Sequence, residues 1–369
     1  MYGADKVLLE LIKNIDKKQF SPYVVLPEDG ELARKLIENN IRTEILNYPI
    51  LRRKYFNILG IIKYIRDYIK YSKKLVKISK KENIDLIHTN TAAVLEGVII
   101  KRKLKIPHIW HIHEIIVKPK FMNKILSFII SKNSNTTITV SNAVKDHLLA
   151  TEKFKDIKVI YNGVDNTIYN PNNETQYLRN EFNIPKDAII VGMIGRINAW
   201  KGQKDFLKAL DIVLEEKSNV YAILVGGVFE GEEWRLDDIK SHISIMKNKD
   251  RVIMSDYRKD VKNIQTLYDI FILPSINPDP LPTVVLEAMA SGTPVIGYNH
   301  GGVCEMIVDN KCGYLIEVGN IDKMAKAIIH LVDDDKKRKL FSENALKRQK
   351  KYFSLSSYIS NFEELYKYL

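Results

Sequence analysis

Short runs rich in β-branched residues alternate with longer segments of helical periodicity from one end of the chain to the other. Strands that alternate with helices in this way pair in parallel, and the helices cover both faces of the sheet. The alternation therefore predicts an α/β protein with doubly wound parallel sheets. The predicted strands are residues 23–27, 86–89, 108–112, 136–140 and 159–161, then 189–194, 221–225, 251–254, 270–273 and 294–297.

The alternation is interrupted near the middle of the chain by YNGVDNTIYNPNNET (residues 161–175), which is rich in Asn, Gly, Asp and Pro. Such a cluster is typical of a loop, and here it predicts a linker between two Rossmann-like domains. We expect an N-terminal domain over residues 1–161 and a C-terminal domain over residues 166–350, with a cleft between them. Ligands of doubly wound sheets bind outside the carboxyl ends of the strands, so functional residues should lie just after strands.

Bulk properties narrow the class of protein without naming a function. The 369 residues, 45% of them hydrophobic, suffice for two sizeable cores. No stretch reaches the roughly 18 consecutive apolar residues of a membrane span, and Asp5 and Glu10 interrupt any signal-peptide core. Cys304 and Cys312 have no neighbours at metal-ligand spacing, so a cytosolic protein is predicted. The net charge of +12 calls for nucleic acid, anionic lipid or a phosphorylated substrate as partner.

The first candidate site lies in IIVGMIGRINAWKGQKDFLKAL (residues 189–210). A buried strand ends at Gly195 and Arg196, and Lys201 stands where an amphipathic helix begins. Two cations beside a helix N-terminus form a suitable site for a diphosphate. The alternatives are two cations on a solvated loop, or a dinucleotide site, for which Gly192 and Gly195 do not complete the G-x-G-x-x-G pattern.

The second candidate site lies in FILPSINPDPLPTVVLEAMASGTPVIGYNHGGVCEMI (residues 271–307). Asp279 is predicted in a turn after a strand, and Glu287 in the helix that begins near Thr283. A carboxylate in the turn can accept hydrogen bonds from sugar hydroxyls, and one on the helix can hold a ribose diol. A solvated face is the alternative interpretation of this pair.

These two segments, together with YNGVD, HIHE and GADKVLLELIKNI, resemble the family 4 glycosyltransferases over nearly the whole chain and in the same order. The resemblance implies a GT-B fold and transfer, with retention of configuration, of a sugar from a nucleotide diphosphate donor. It assigns the acceptor to the N-terminal domain and the donor to the C-terminal domain, and residues 352–369 to a helix that packs back on the first. It implies no metal and no cofactor beyond a donor substrate of the UDP or GDP type.

The resemblance also implies roles for individual residues. Arg196 and Lys201 would bind the donor phosphates, and Glu287 the ribose. Asp279 would hold the transferred sugar, and His113 would line the catalytic centre. Since His111 and His113 lie at a strand end, they are expected on opposite faces, with His111 the better candidate for an interior histidine. The remaining substrate-binding candidates are Gly3, Gly195, Leu281 and Thr283.

Two features depart from the family pattern. Asp279 stands where Glu is usual, and Leu281-Pro282 where Phe-Gly is usual, so the identity of the donor sugar does not carry over. The family also begins with a buried strand and a Gly-containing loop, whereas this sequence begins inside that loop at Met1-Tyr2-Gly3. We expect a start upstream of the given one, because a central strand would otherwise be lacking and its neighbours' backbone groups left unpaired. A rearranged first domain is the alternative.

A basic segment between Arg52 and Lys81 contains eleven Lys or Arg residues and one acid, Asp67. Isoleucines form one helical stripe and basic residues another, and residues 118–132 add further lysines around FMNKILSFII. The pattern is typical of a helix that lies on an anionic membrane, which would suit a lipid-linked acceptor. A core-packed helix with a solvated flank is the alternative. The apolar residues of the first stripe are Ile58, Ile62, Ile65 and Ile69.

The sequence thus predicts a retaining, metal-independent hexosyltransferase with a glycan or lipid-linked acceptor. Its expected place is envelope polysaccharide, lipopolysaccharide or glycolipid synthesis, in the cytoplasm or peripherally on the inner face of the plasma membrane. The alternatives are a nucleotide-sugar epimerase, an inactive donor-binding scaffold and a basic nucleic-acid-binding protein. The last lacks any recognised nucleic-acid motif, so no nucleic-acid partner is expected.

Overall fold

The computed structural model describes residues 3–369, which form two compact units. The first contains the residues up to Asn162 together with Ser356–Leu369, and the second contains Gly163–Leu355. Each unit has parallel β-sheets with helices, as the strand-helix alternation predicts.

The first unit opens with a helix, and its strands all pair in parallel. Its elements are α1 (Gly3–Asn14), β1 (Tyr23–Leu26), α2 (Glu31–Glu38), β2 (Arg42–Ile45), α3 (Ile58–Lys81), β3 (Ile87–Thr89), α4 (Gly97–Leu104), β4 (His108–Ile112), α5 (Lys120–Asn133), β5 (Thr136–Thr139), α6 (Asn142–Leu149) and β6 (Ile157–Val159). A short 3₁₀ helix, Arg53–Tyr55, precedes α3.

The strands of the first unit form two sheets over the described residues rather than one. β1 pairs with β2, and the other strands follow the order β3-β4-β5-β6. The two sheets share packing, because Val25 of β1 and Ile87 of β3 both pack against the buried cluster of Leu46, Leu75 and Ile100. The two sheets of the first unit therefore share part of one hydrophobic core.

Helix α3 turns its predicted isoleucine stripe outward. Ile58 is 79% exposed and Ile62 is 60% exposed, whereas Tyr64 and Leu75 are buried. The inward face also carries Ser72, which is completely buried, so Tyr64, Ser72 and Leu75 make the core contacts that the alternative interpretation gave to the isoleucines. The core-packed alternative for the isoleucine stripe is therefore wrong. The other exposed apolar residues of this region are Phe56, Leu59, Ile61, Ile65 and Ile69, with Phe121, Ile125 and Phe128 on α5.

The second unit is built on one parallel sheet with the strand order β12-β11-β10-β7-β8-β9. Its elements are α7 (Gln176–Glu181), β7 (Ile189–Ile194), α8 (Gln203–Glu216), β8 (Val220–Val225), α9 (Trp234–Ile245), β9 (Val252–Ser255), α10 (Val261–Leu267), β10 (Ile270–Leu273), α11 (Thr283–Ala290), β11 (Val295–Tyr298), α12 (Val303–Met306), β12 (Gly313–Ile316), α13 (Ile321–Asp333) and α14 (Asp335–Tyr352). The chain ends in α15 (Leu355–Tyr368).

The strand order of the second unit fixes where a ligand can bind. The chain starts at β7 in the middle of the sheet and adds β8 and β9 toward one edge. It then returns to the middle, where β10 pairs with β7, and adds β11 and β12 toward the other edge. The direction of winding thus reverses between β7 and β10, and the loops that leave these neighbouring strands diverge to opposite faces. Such a switch point is the usual binding crevice of a doubly wound sheet.

Helix α15 packs on the first unit through aromatic side chains. Phe362 is completely buried, and its ring centroid lies 5.5 Å from that of His88 and 5.1 Å from that of His111. The hydroxyl of Tyr366 lies 2.6 Å from His88 Nδ1. Across residues 3–369, no helix combines the length and the hydrophobicity required to span a bilayer.

Candidate functional site and the histidines of the first unit

The loop after β7 is folded by its own side chains. Asn198 Oδ1 accepts hydrogen bonds from the backbone N–H groups of Trp200 (3.1 Å) and Lys201 (3.0 Å). Gln203 Nε2 donates to the carbonyl of Arg196 at 2.9 Å, which ties the start of α8 to the end of β7. The loop therefore presents Arg196 and Lys201 from a fixed backbone.

Arg196 lies against an aromatic side chain from the next βα loop. Its guanidinium carbon is 3.8 Å from the ring centroid of Phe229, which follows β8 and is 41% exposed. This close stacking is a cation–π contact that orients the guanidinium plane. Phe229 was not predicted from the sequence, and the signal available was an aromatic residue four positions after the end of a buried strand.

Lys201 and Asp279 form an ion pair across the switch point. Lys201 Nζ contacts Asp279 Oδ2, and the two side chains are only 14% and 8% exposed. Ser275 Oγ donates to the same carboxylate oxygen at 3.3 Å, and Lys201 Nζ lies 4.6 Å from the ring centroid of Trp200. The structure thus joins two predicted site residues that are 78 positions apart in the chain.

The backbone that carries Asp279 is held by a pair of glycines after β11. The N–H of Gly302 donates to the carbonyl of Asp279 at 2.7 Å. Gly301 has a φ of +61°, and a Cβ placed there would lie 2.5 Å from the same carbonyl oxygen. Because no side chain fits, the two loops can approach closely enough to fix Asp279.

The other predicted residues of this site lie around the N-terminus of α11. Thr283 is the first residue of that helix, and Leu281, two residues earlier, is 5% exposed. Glu287 lies in the second turn and is only 3% exposed, which excludes the solvated-face interpretation for this carboxylate. Gly195 follows β7 and donates its N–H to the carbonyl of Val225 at 3.0 Å.

His113 follows β4 in the first unit and bonds to residues after β3. Its Nε2 is 3.1 Å from Asn90 Oδ1, and its backbone N–H donates to Glu114 Oε2 at 3.1 Å. Glu114 also accepts hydrogen bonds from Thr91 Oγ1 and from the N–H of Ala92. Burial lowers the pKa of His113 to about 4 and raises the pKa of Glu114, so the imidazole is neutral at pH 7.

The expectation that His111 and His113 occupy opposite faces is wrong. Their ring centroids are 4.0 Å apart, because side chains two positions apart along a strand point to the same side. His111 is completely buried, and burial holds its pKa well below the usual value. It lies between the rings of His113 and His88, where it contributes to the interior of the first unit.

Two family profiles together match nearly the whole chain. The profile described as "Glycosyl transferases group 1" matches residues 174–348, and "Glycosyltransferase Family 4" matches residues 1–167. The first of these ranges lies within the second unit, and the second range covers most of the first unit. This chain belongs to the family 4 glycosyltransferases.

Relatives of this glycosyltransferase agree with that assignment over most of their length. It is 26% identical to the Escherichia coli UDP-Gal:alpha-D-GlcNAc-diphosphoundecaprenol alpha-1,3-galactosyltransferase, covering 99% of this chain and 93% of the relative. It is 26% identical to the Bacillus anthracis N-acetyl-alpha-D-glucosaminyl L-malate synthase, covering 79% and 77%. The protein is a hexosyltransferase with the GT-B fold.

A solved structure shows the same fold with ligands bound. Anabaena HepE in complex with UDP and glucose superposes with a TM-score of 0.85 at 25% identity, covering 100% of this chain and 96% of that one. The structure of a glycosyltransferase from Rickettsia africae superposes with a TM-score of 0.87 at 24% identity.

Within the glycosyltransferase, the predicted site residues fall into two groups. In the second unit, Lys201 and Asp279 are in contact, and Arg196 lies in the same loop as Lys201. His113 and Gly3 lie in the first unit, where Gly3 is the first residue of α1 rather than part of a loop. Met1 and Tyr2, which the same prediction placed in that loop, lie outside the described residues. No group of three or more His, Cys, Asp or Glu side chains within residues 3–369 is arranged to hold a metal ion.

Proposed function

We propose that this glycosyltransferase moves a sugar from a UDP-type nucleotide diphosphate donor, with retention of configuration, to a glycan or lipid-linked acceptor in cell-envelope synthesis. The observation that carries the proposal is the buried contact of Lys201 with Asp279 at the switch point of the second unit. A cation suited to phosphate and a carboxylate suited to sugar hydroxyls meet there. The names of the relatives, one with a UDP-Gal donor and one bound to UDP, favour UDP over GDP.

In this proposal the second unit binds the donor through complementary groups. Arg196, oriented by Phe229, and Lys201 hold the diphosphate, and Glu287 holds the ribose diol. Asp279 accepts hydrogen bonds from the transferred sugar, while the N-terminus of α11 at Leu281 and Thr283 supplies backbone N–H groups. The cations stabilise the charge that develops on the departing diphosphate, which is electrostatic catalysis.

The acceptor attacks from the face on which the diphosphate leaves, and a phosphate oxygen takes the proton of the acceptor hydroxyl. Retention follows because the bond forms on the same side as the one that breaks. His113, proposed as a catalytic residue, is neutral at pH 7; with Asn90 Oδ1 as the acceptor, its Nε2 carries the proton. The step requires no metal and no further cofactor.

A thermal-shift screen against UDP, GDP, ADP, dTDP and their common sugar conjugates tests the donor assignment. We expect UDP or a UDP-sugar to stabilise the protein by about 2.7 kcal/mol at 100 times its Kd. The ligand-induced shift should disappear in the double variant Arg196→Ala, Lys201→Ala. A matched variant, Lys204→Ala with Lys208→Ala, removes two exposed cations of α8 and should keep it. Equal shifts in both variants, or none with any nucleotide in the wild type, would contradict the proposal.

We further propose that the enzyme works peripherally on an anionic membrane, through the outward face of α3 and the exposed apolar residues of α5. Exposed isoleucines of α3 lie beside Lys63, Arg66 and Lys70, which are exposed as well. Apolar insertion and attraction to anionic lipid act together on such a face, with about 1 kcal/mol per basic residue near the surface.

Vesicle flotation tests the membrane assignment. The wild type should float with vesicles of phosphatidylcholine and phosphatidylglycerol at low salt, and not with phosphatidylcholine alone. Changing Ile58, Ile62 and Ile65 to Ser should abolish flotation, whereas Ile245→Ser, at an 81% exposed position of the second unit, should not. Failure of the wild type to float with anionic vesicles at low salt would refute the assignment.

A further inference from the structure

The first unit contains a cavity of about 340 Å³ at the carboxyl ends of β1 and β2. Its walls come from the two loops that follow these strands, from the 3₁₀ helix before α3, and from the third turn of α3 itself. None of the residues predicted from the sequence as site residues belongs to it. The lining residues are Pro27, Glu28, Asn47, Tyr48, Pro49, Ile50, Arg52, Lys54, Tyr55 and Asp67.

Two cations and two carboxylates line the cavity, in a chain whose net charge is +12. Arg52 and Lys54 are offset by Glu28 and Asp67. Arg52 Nη2 lies 3.3 Å from Glu28 Oε1, and Asp67 Oδ1 is 3.1 Å from Arg66. An uncharged ligand is favoured over an anion, because an anion would face the carboxylates of Glu28 and Asp67.

The polar groups that line the cavity suit a polyhydroxylated ligand. Carboxylate and amide oxygens accept hydrogen bonds from hydroxyl groups, while the amide and the cations donate to them. Tyr48 and Tyr55 also line the cavity, whose walls are mainly polar. The volume lies at the lower end of the roughly 300–1,000 Å³ of small-molecule sites, which limits the bound part to about one sugar unit.

The two tyrosines that line the cavity, Tyr48 and Tyr55, are fixed by the packing behind them. The hydroxyl of Tyr48 donates to the carbonyl of Val25 at 3.2 Å. The ring of Tyr55 meets the buried ring of Tyr64 edge-on at 5.3 Å, and Tyr64 stacks with Tyr68 at 6.1 Å. Because their side chains are already held, these tyrosines lose little conformational entropy when a ligand binds.

The cavity adjoins the apolar face of α3. Tyr55 lines the cavity, and Phe56, Ile58 and Leu59 follow it directly at 44%, 79% and 79% exposure. We propose that this cavity binds the carbohydrate headgroup of a membrane-anchored glycolipid acceptor while α3 rests on the bilayer. This inference rests on the proposed function and adds the place and chemical class of the acceptor.

Saturation-transfer NMR on the full chain tests the site, with methyl glycosides of glucose, galactose, mannose and N-acetylglucosamine as probes. At least one glycoside should receive saturation from the wild type. The double variant Asn47→Ala, Asp67→Asn should bind it about 30-fold more weakly or worse, since it loses hydrogen bonds to a charged and a neutral group. Glu38→Gln, which removes an exposed carboxylate of α2, is the matched control and should bind as the wild type does.

The outcomes separate this inference from the donor assignment. Equal binding by the double variant and the wild type, no saturation of any glycoside, or displacement of the glycoside by inorganic phosphate would overturn the inference. If the double variant fails to fold, Glu28→Gln replaces it, because that side chain is 69% exposed. UDP-induced thermal shifts in the same samples report on the donor site alone, and they should be unchanged in every cavity variant.

Discussion

Replacing Lys201 with alanine is expected to lower the rate of sugar transfer by about 10²–10³-fold, the usual loss when one preorganised donor to a developing negative charge is removed. It should also destabilise the protein by roughly 3–5 kcal/mol, because the carboxylate of Asp279 stays buried at 8% exposure without its cation. The rate of UDP release from a UDP-sugar and urea-induced unfolding are the two measurements.

The double variant Lys201→Ala, Asp279→Asn separates these two effects. Neutralising the carboxylate removes the uncompensated charge, so most of the lost stability should return, while activity should stay as low as in Lys201→Ala. If activity returned together with stability, Lys201 would be a structural residue only. Lys204→Ala, at an exposed ion pair with Asp238, controls for the loss of a cation near the start of α8.

Among glycine-to-alanine substitutions at the site of the second unit, Gly202→Ala should cause the largest loss of stability. Gly202 has a φ of +81°, and a Cβ there would lie 1.9 Å from the carbonyl oxygen of Pro274. The left-handed conformation costs about 1–2 kcal/mol for a non-glycine residue, and overpacking adds about 1–3 kcal/mol. Relief of the clash would displace the backbone that leads from Pro274 to Asp279, so transfer activity should fall as well.

Gly319→Ala is the matched control for this prediction. Gly319 has nearly the same φ, +79°, but no atom lies within 4 Å of its added Cβ. It should therefore show the conformational cost alone, with activity retained. Urea unfolding measures both variants. If Gly202→Ala were as stable as Gly319→Ala, the loop after β10 would accommodate the added methyl group at no cost, and the prediction would be wrong.

Much of the fold was predictable because strand-helix alternation is a local property. The predicted strands 108–112, 189–194 and 270–273 coincide with β4, β7 and β10. β2 was missed because RTEI has no alternation of apolar and polar residues, and both of its end residues are exposed. β12 was missed because GYLI is a short run without a preceding helical segment of clear periodicity.

The candidate site was predictable as two segments, but not as an arrangement. The sequence alone shows that three residues of the site follow predicted strands, namely Arg196, Lys201 and Asp279. That Lys201 touches Asp279 depends on β10 lying beside β7, and strand order is set by packing among residues far apart in the chain. Phe229 joins Arg196 for the same reason, since it comes from the neighbouring strand β8.

By itself, the sequence determined the α/β class, the two-unit organisation and the glycosyltransferase family, because periodicity, turn residues and motif spacing are all local signals. Only the tertiary structure decided which stripe of α3 faces outward, since a helix with two plausible stripes is oriented by its neighbours. There, Tyr64, Ser72 and Leu75 fit against the rest of the first unit, and the isoleucines are left on the surface. The pairing of Lys201 with Asp279 was decided in the same way, by non-local packing that no single segment contains.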